Sequence, residues 1–236
     1  MSKAKAKKLT VMVSSTVYGS EDVLDRIYDV LTNFGYEVWM SHKGTLPVSS
    51  HRSAFENCLE GVRRADIFLG IIGTRYGTGV DKEDPASLSI AHQELRLAIE
   101  LKKPRWLLAH ENILTARTLF TKLGHEGVEG RKSLKLKRSD VLEDMRLIDM
   151  YEEATFDRLP LAERIGNWVQ KIHSADDAGR YILSQFFRYQ EVLAFVEEHF
   201  RNGTPLLEGQ ADRLLRKRYF NCFASVKAVR WNLRQA

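Results

Sequence analysis

Cysteine is scarce in this sequence of 236 residues. Only Cys58 and Cys222 occur, far apart and without the spacing of a metal-binding motif. The two thiols therefore give no sign of a disulfide-stabilised secreted scaffold or of a cysteine-based zinc site. We expect a reduced, cytoplasmic protein in which both thiols pack within helices.

Long apolar runs are also missing, because no stretch of about 18 apolar residues occurs. The basic start, MSKAKAKK, precedes only the short apolar LTVMVSS, which is typical of a strand rather than of a signal peptide. The sequence contains neither a Walker motif nor a glycine-rich dinucleotide fingerprint. These absences predict no membrane association, no metal and no bound cofactor. The length suffices for one large domain, with or without a helical appendage.

The net charge of +5 is unevenly distributed along the chain. Residues 1–8 and 209–236 together carry a net charge of +10, which leaves about −5 for residues 9–208. Basic ends can bind nucleic acid or an acidic partner, but they are more often solvated surfaces. Because the body is acidic and no nucleic-acid-binding motif occurs, nucleic-acid binding ranks last among our interpretations.

Predicted strands and helices alternate through the first half of the chain. Buried strands are predicted at KLTVMVSS, YEVWM, DIFLGIIG and PRWLLAH, and amphipathic helices fall between them. This alternation is typical of an α/β fold with a doubly wound parallel sheet. With NWVQKIH as the last strand, the sheet has about five strands, and ligands are expected at its carboxyl edge.

Four regions are predicted along the chain. Residues 8–110 form the α/β core, and residues 111–163 form a mainly helical insertion with a mobile loop at HEGVEGRKSLKLKR. Residues 164–200 contribute the last strand and a long helix with an expected break near Phe187. Residues 204–236 form a basic helical extension.

One carboxylate stands out in the helix SIAHQELRLAIELKKP. At helical spacing, Glu94 has Ile90, Ala91, Leu97 and Ala98 as neighbours, all apolar, whereas Glu100 has basic neighbours. A partly buried acid in a cleft is a candidate catalytic group. It can stabilise an oxocarbenium-like centre or attack it. The alternatives are a first-turn glutamate favoured by the helix dipole, or a buried partner of an arginine such as Arg75.

The loop SSTVYG follows the first strand and precedes a helix. Hydroxyl and backbone N–H groups at this position suit a phosphate or a ribose. An ordinary helix N-terminal turn is the alternative. The candidate ligand-binding residues here are Ser14, Ser15, Thr16 and Tyr18.

The loop IIGTRYGTG ends the third strand with three glycines. Glycines let a backbone approach a ligand closely, and a tyrosine can stack on a base. A flexible connection is the alternative. The candidate ligand-binding residues here are Gly73, Arg75, Tyr76 and Gly77. His92, two positions before Glu94, could assist the glutamate or merely cap the helix.

Taken together, these three motifs resemble a domain of unknown function related to the TIR and nucleoside 2-deoxyribosyltransferase superfamily. Such domains occur at the N-termini of STAND-type NTPases and in bacterial defence proteins. The resemblance covers roughly residues 8–110 and implies a flavodoxin-like fold. It also implies that the E-x-x-x-A motif, here ELRLA, gives Glu94 the central role in N-glycosidic cleavage. By the same resemblance, SST would lie near ribose or phosphates and RYG near the base.

The leading hypothesis is therefore an enzyme that cleaves or transfers at an N-glycosidic bond, with NAD as the expected substrate, in signalling or antiphage defence. The alternative is a non-catalytic TIR-like module that self-assembles or senses nucleotides for a partner effector. The basic segments and the aromatic final helix would form that interface. A homo-oligomer or a partner effector protein is expected under either hypothesis.

Overall fold

The computed structural model describes residues 8–79, 87–134, 137 and 139–188. The strands are β1 (Thr10–Ser15), β2 (Glu37–Trp39), β3 (Ile67–Ile72), β4 (Arg105–His110) and β5 (Val169–Ile172). The helices are α1 (Glu21–Asn33), α2 (Ala54–Arg64), α3 (Ile90–Glu100), α4 (Glu111–Lys122), α5 (Gly127–Arg131), α6 (Arg146–Ala154) and α7 (Ala175–Phe186), with a 3₁₀ turn at Leu161–Glu163. One compact unit, Leu9–Tyr181, contains every strand and the first six helices. Lys8 and Ile182–Arg188 are the described part of a second unit.

The five strands form one parallel sheet in the order β2-β1-β3-β4-β5. This order confirms the expected α/β doubly wound fold of the flavodoxin-like type. The chain moves outward from β1 in one direction to β2 and then in the other direction through β3. The carboxyl ends of β1 and β3 therefore flank the topological switch point, where open sheets of this kind bind ligands.

The central strands are buried because helices cover both faces of the sheet. Every residue of β3 is buried, and so are the first five residues of β1. Helices α2, α3, α4 and α6 share one apolar core that includes Met12, Phe68 and Leu95. Asp66, which directly precedes β3, has a structural role, since it accepts a hydrogen bond from the Thr10 N–H at 2.9 Å.

The insertion differs from its prediction at two places. The glycine- and lysine-rich stretch predicted as a mobile loop contains α5, whose Arg131 is buried and ion-paired with Asp149 and Glu152 of α6. In the second half of the insertion, predicted to be mainly helical, a helix begins only at Arg146. The preceding residues 139–145 are not helical, and Asp140 among them pairs with Arg75.

The last described helix, α7, ends at Phe186 and a turn follows at residues 187–188, in accord with the expected break. The rest of the predicted long helix, the basic extension 204–236 and the N-terminal lysines lie outside the described residues. Among the helices that the structure describes, none is long and apolar enough to cross a membrane.

Candidate functional site

Glu94 faces the sheet from the second turn of α3. The helix begins after Ser89, whose hydroxyl accepts the His92 N–H. The same face of α3 buries Ala91, Leu95 and Ala98, and only 4% of Glu94 is exposed. Since α3 begins at Ile90, Glu94 lies beyond the first turn, and the first-turn explanation of this glutamate is wrong.

Two side chains from other elements bind the buried carboxyl. The Ser14 hydroxyl at the end of β1 donates to Glu94 Oε2 at 2.5 Å. The Cys58 thiol of α2 also interacts with the Glu94 carboxyl. The carboxyl group therefore lies between a strand and a neighbouring helix, with the Ser14 hydroxyl as its hydrogen-bond donor.

The environment of Glu94 changes its protonation. Burial raises the pKa of Glu94 from 4.5 to about 7, although the Ser14 hydrogen bond and the Cys58 thiol oppose that rise. Burial and the Glu94 charge raise the pKa of the Cys58 thiol to about 12, so this thiol stays protonated. A carboxyl with a pKa near neutrality can accept or release a proton under physiological conditions.

The predicted site did not include Cys58. Its helical neighbours Phe55, Leu59 and Val62 indicated only a packed thiol, which the structure confirms for α2. Contact with Glu94 depends on α2 and α3 lying side by side. Local spacing contains no signal for that arrangement.

The hydroxyl-bearing candidates of the first loop do not share one role. Ser14 binds Glu94, whereas Ser15 donates its hydroxyl proton to the Thr16 carbonyl at 3.0 Å. Tyr18 is exposed at the tip of the loop. The loop therefore presents one hydroxyl to the candidate catalytic group and keeps the other candidates nearer the surface.

The loops after β1 and β3 adjoin at the switch point. Gly77 has φ +80°, and a Cβ there would lie 3.2 Å from the Thr16 methyl group. A Cβ at Gly73 would lie 2.9 Å from the Ser20 hydroxyl oxygen. Glycine is required at position 77 by its backbone angle and is favoured at position 73 by this close approach.

Tyr76 and His92 are buried together, away from Glu94. The Tyr76 hydroxyl is hydrogen-bonded to His92 Nδ1 at 2.8 Å, and His92 Nε2 lies 3.1 Å from Glu153 Oε2. Because an ionised carboxylate only accepts, Nε2 donates to Glu153, and Nδ1 pairs with the tyrosine hydroxyl. Both nitrogens of His92 are thus engaged, and in this arrangement the histidine does not assist Glu94.

The expected stacking of Tyr76 on a base does not fit this arrangement. Only 2% of Tyr76 is exposed, and the guanidinium of Arg146 lies 4.2 Å from the centre of its ring. The insertion therefore covers the face that a base would need.

Arg75 pairs with acids of the insertion and not with Glu94. Its Nη2 atom lies 2.5 Å from Asp140 Oδ1, and its Nη1 atom lies 3.7 Å from Glu143 Oε1. The alternative explanation of Glu94 as the buried partner of Arg75 is therefore wrong. Arg75 nevertheless lies at the switch point, since a Cβ at Gly19 would lie 3.8 Å from Arg75 Cγ.

A separate cleft of about 330 Å³ lies between α3 and α6, and Arg96, Ile99 and Phe156 are among its lining residues. None of the residues that line it belongs to the site predicted from the sequence. Glu153, which contacts His92, is among the residues that line this cleft, whereas Glu94 is not.

Comparisons with known proteins identify a family. Neither the curated proteins nor the solved structures include a match to this chain. The sequence model of one protein family matches residues 10–158, from the first residue of β1 to just after α6. This match covers more than half of the chain and includes Glu94, both switch-point loops and most of the insertion. The chain therefore belongs to the family described as a domain of unknown function, DUF4062.

Proposed function

We propose that this protein cleaves or transfers at an N-glycosidic bond of a nucleotide, with NAD as the expected substrate and Glu94 as the catalytic residue. The observation that carries the proposal is the buried Glu94 carboxyl, bound by Ser14 at the carboxyl end of β1. Its pKa of about 7 suits a group that changes protonation during turnover.

Cleavage of an N-glycosidic bond needs one carboxyl group that is ionised when the bond breaks and that can later accept a proton. When the bond between C1′ of the ribose and the nicotinamide nitrogen breaks, nicotinamide leaves as a neutral molecule with the bonding electrons. The positive charge remains on the ribosyl group, where an ionised carboxylate stabilises it. Water then adds to C1′, and its proton passes to the carboxylate, so that ADP-ribose, nicotinamide and one proton are the products.

Burial of Glu94 explains both why its carboxylate interacts strongly with a cation and why a substrate has restricted access to it. A carboxylate shielded from water interacts more strongly with a developing cation than an exposed one does. Because Glu94 is almost fully covered, a substrate reaches it only when the loops after β1 and β3 separate. In this proposal Ser14 exchanges its bond to Glu94 for one to the ribose, and Ser15 and Thr16 are the further candidate contacts of the ribose or phosphates.

The resemblance of the three motifs to TIR-like and nucleoside deoxyribosyltransferase-like domains supports the same assignment. It places the expected biological setting in bacterial signalling or antiphage defence. The flavodoxin-like topology is compatible with it, because ligands of such folds bind at the switch point.

The experiment is incubation of purified protein with NAD, followed by chromatography for nicotinamide. We expect release by the wild type and loss of at least about a hundredfold in rate for Glu94→Gln, as for removal of a key electrostatic group. Glu100→Gln is the matched control, because it removes an exposed carboxylate from the same helix. Equal rates for wild type and Glu94→Gln would refute the proposal.

A second candidate function is a non-catalytic assembly module, which one surface feature favours. Leu161, Ile165 and Trp168 are exposed within one short segment, and Trp168 has 70% of its surface accessible. This segment precedes β5, an edge strand of the sheet. Clustered exposed apolar side chains mark interaction surfaces. Light-scattering masses of wild type and Trp168→Ser, compared at matched concentrations, test this function; an unchanged mass would count against it.

A further inference from the structure

The carboxylate of Glu143 lies over the start of the loop that follows β3. The Tyr76 N–H donates to Glu143 Oε2 at 2.9 Å, and Arg75 Nη1 lies 3.7 Å from Glu143 Oε1. The Glu143 N–H in turn donates to the Thr74 carbonyl at 3.0 Å, which holds the two segments together. A side chain of the insertion thus occupies a site formed by a guanidinium and a backbone N–H.

This site lies where the fold would bind a ligand. β3 flanks the switch point, and the stem of Arg75 lies against Gly19 in the neighbouring loop. A guanidinium together with a backbone N–H is a combination that binds phosphate oxygens as well as carboxylates. Glu143 therefore has the charge and the contacts of a bound anionic group.

We propose that Arg75 and the N–H of Tyr76 form an anion subsite for a phosphate group, and that Glu143 occupies this subsite as an intramolecular competitor. The diphosphate group of a nucleotide displaces the Glu143 carboxylate when the nucleotide binds. The identity of the ligand as a nucleotide rests on the proposed function, whereas the subsite and its competitor rest on the contacts of Glu143. The insertion is thereby a built-in inhibitor of the switch-point site.

The neighbouring acid Asp140 makes it possible to separate occupation of the subsite by Glu143 from a general effect of net charge on anion binding. Asp140 also pairs with Arg75, but 91% of its side chain is exposed, against 15% for Glu143. Only Glu143 receives the Tyr76 N–H. An exposed pair contributes little, because water screens it. Removal of either acid changes the net charge equally, but only removal of Glu143 opens the subsite.

The structure also indicates what keeps the competitor in place. Arg146 binds Asp144 through two nitrogens, donates to the Ser87 carbonyl at 3.0 Å and lies over the Tyr76 ring. These contacts join the turn before α6 to both the beginning and the end of the segment between β3 and α3. The turn therefore stays attached when Glu143 alone is replaced.

The experiment is calorimetric titration of the full chain with inorganic pyrophosphate at low ionic strength, where charge-assisted contacts are least screened. We expect Glu143→Ala to bind about tenfold more tightly than wild type, and Asp140→Ala to change affinity by less than about threefold. Arg75→Gln in the Glu143→Ala background should abolish the gain. Glu143→Gln, which keeps the side-chain shape and loses the charge, is the second variant, with an expected gain of at least about threefold.

Equal gains for Glu143→Ala and Asp140→Ala would overturn the proposal, because they would reflect net charge alone. No gain in either Glu143 variant, with melting temperatures showing folded protein, would overturn it too. Nicotinamide release from NAD by the same preparations separates the two proposals. If the Glu143 variants bind pyrophosphate more tightly but no preparation cleaves NAD, only the proposed function is refuted. If NAD is cleaved but the Glu143 variants gain no affinity for pyrophosphate, only the role of Glu143 as a competitor is refuted.

Discussion

Ser14 and Glu94 are 80 residues apart in the chain, yet the serine hydroxyl lies 2.5 Å from the glutamate carboxyl. The bond joins the carboxyl end of β1 to the buried face of α3. It gives the candidate catalytic group a defined orientation within a core that is otherwise apolar on this face. The consequences of that environment can be measured without knowledge of the substrate.

The raised pKa of Glu94 predicts a specific dependence of stability on pH. Because the folded pKa of about 7 exceeds the unfolded value of 4.5, the folded state binds more protons between these pH values. Stability therefore falls as pH rises from 4.5 to 7, by an amount on the order of 3 kcal/mol. Urea unfolding at pH 5 and pH 8 should show this decline in wild type and a clearly smaller one in Glu94→Gln. An identical decline in both proteins would contradict the assignment.

Ser14→Ala should move the pKa of Glu94 further upward. The Ser14 hydrogen bond lowers that pKa, so its loss favours the protonated acid. At pH 8 the variant should lose about 1–3 kcal/mol of stability, as expected for a buried group left without a donor. At pH 5, where Glu94 is protonated, the loss should be smaller. Ser15→Ala is the control, because the Ser15 hydroxyl binds only the adjacent Thr16 carbonyl.

The Cys58 thiol should react slowly with alkylating reagents. Its pKa of about 12 leaves almost no thiolate at pH 8. The Glu94 charge raises that pKa, so Glu94→Gln should accelerate alkylation of Cys58. Mass spectrometry of iodoacetamide-treated protein, in a Cys222→Ser background, measures the rate. A reaction as fast as that of a free thiol in the folded wild type would be inconsistent with this environment.

Glu153 should control stability at acid pH. Burial raises its pKa, but hydrogen bonds from Arg96 and His92 outweigh that effect and lower it to about 2. Since the folded value lies below the unfolded 4.5, this contribution is present above pH 4.5 and is lost as pH falls towards 2. Because Glu153 is partly exposed, solvent screening reduces its contribution to folding stability to about 1–2 kcal/mol. Acid unfolding of Glu153→Gln, compared with Glu129→Gln at an exposed pair, should show a flatter curve over that range.

Much of the fold could be predicted because its signals are local. A near-continuous apolar stretch such as Ile67–Ile72 predicts a central strand, and apolar residues at helical spacing predict the helix that follows. Glu94 stood out for the same reason, since its apolar neighbours lie within four residues. Periodicity failed at residues 140–145, where the backbone N–H and the carboxylate of Glu143 bind the loop after β3 instead of taking part in a helix.

The sequence by itself determined the alternation of strands and helices, the parallel direction of the strands in the sheet, and the presence of one acid on an apolar helix face. Only the tertiary structure decided what that acid contacts, because Ser14 and Cys58 reach it through crossover connections that local spacing does not encode. It also decided the environment of Tyr76, which the sequence suggested as a residue that could stack on a base, but which is buried with the Arg146 guanidinium over its ring. Side-chain partners between distant segments depend on how layers pack, and packing follows from the whole chain rather than from any one stretch.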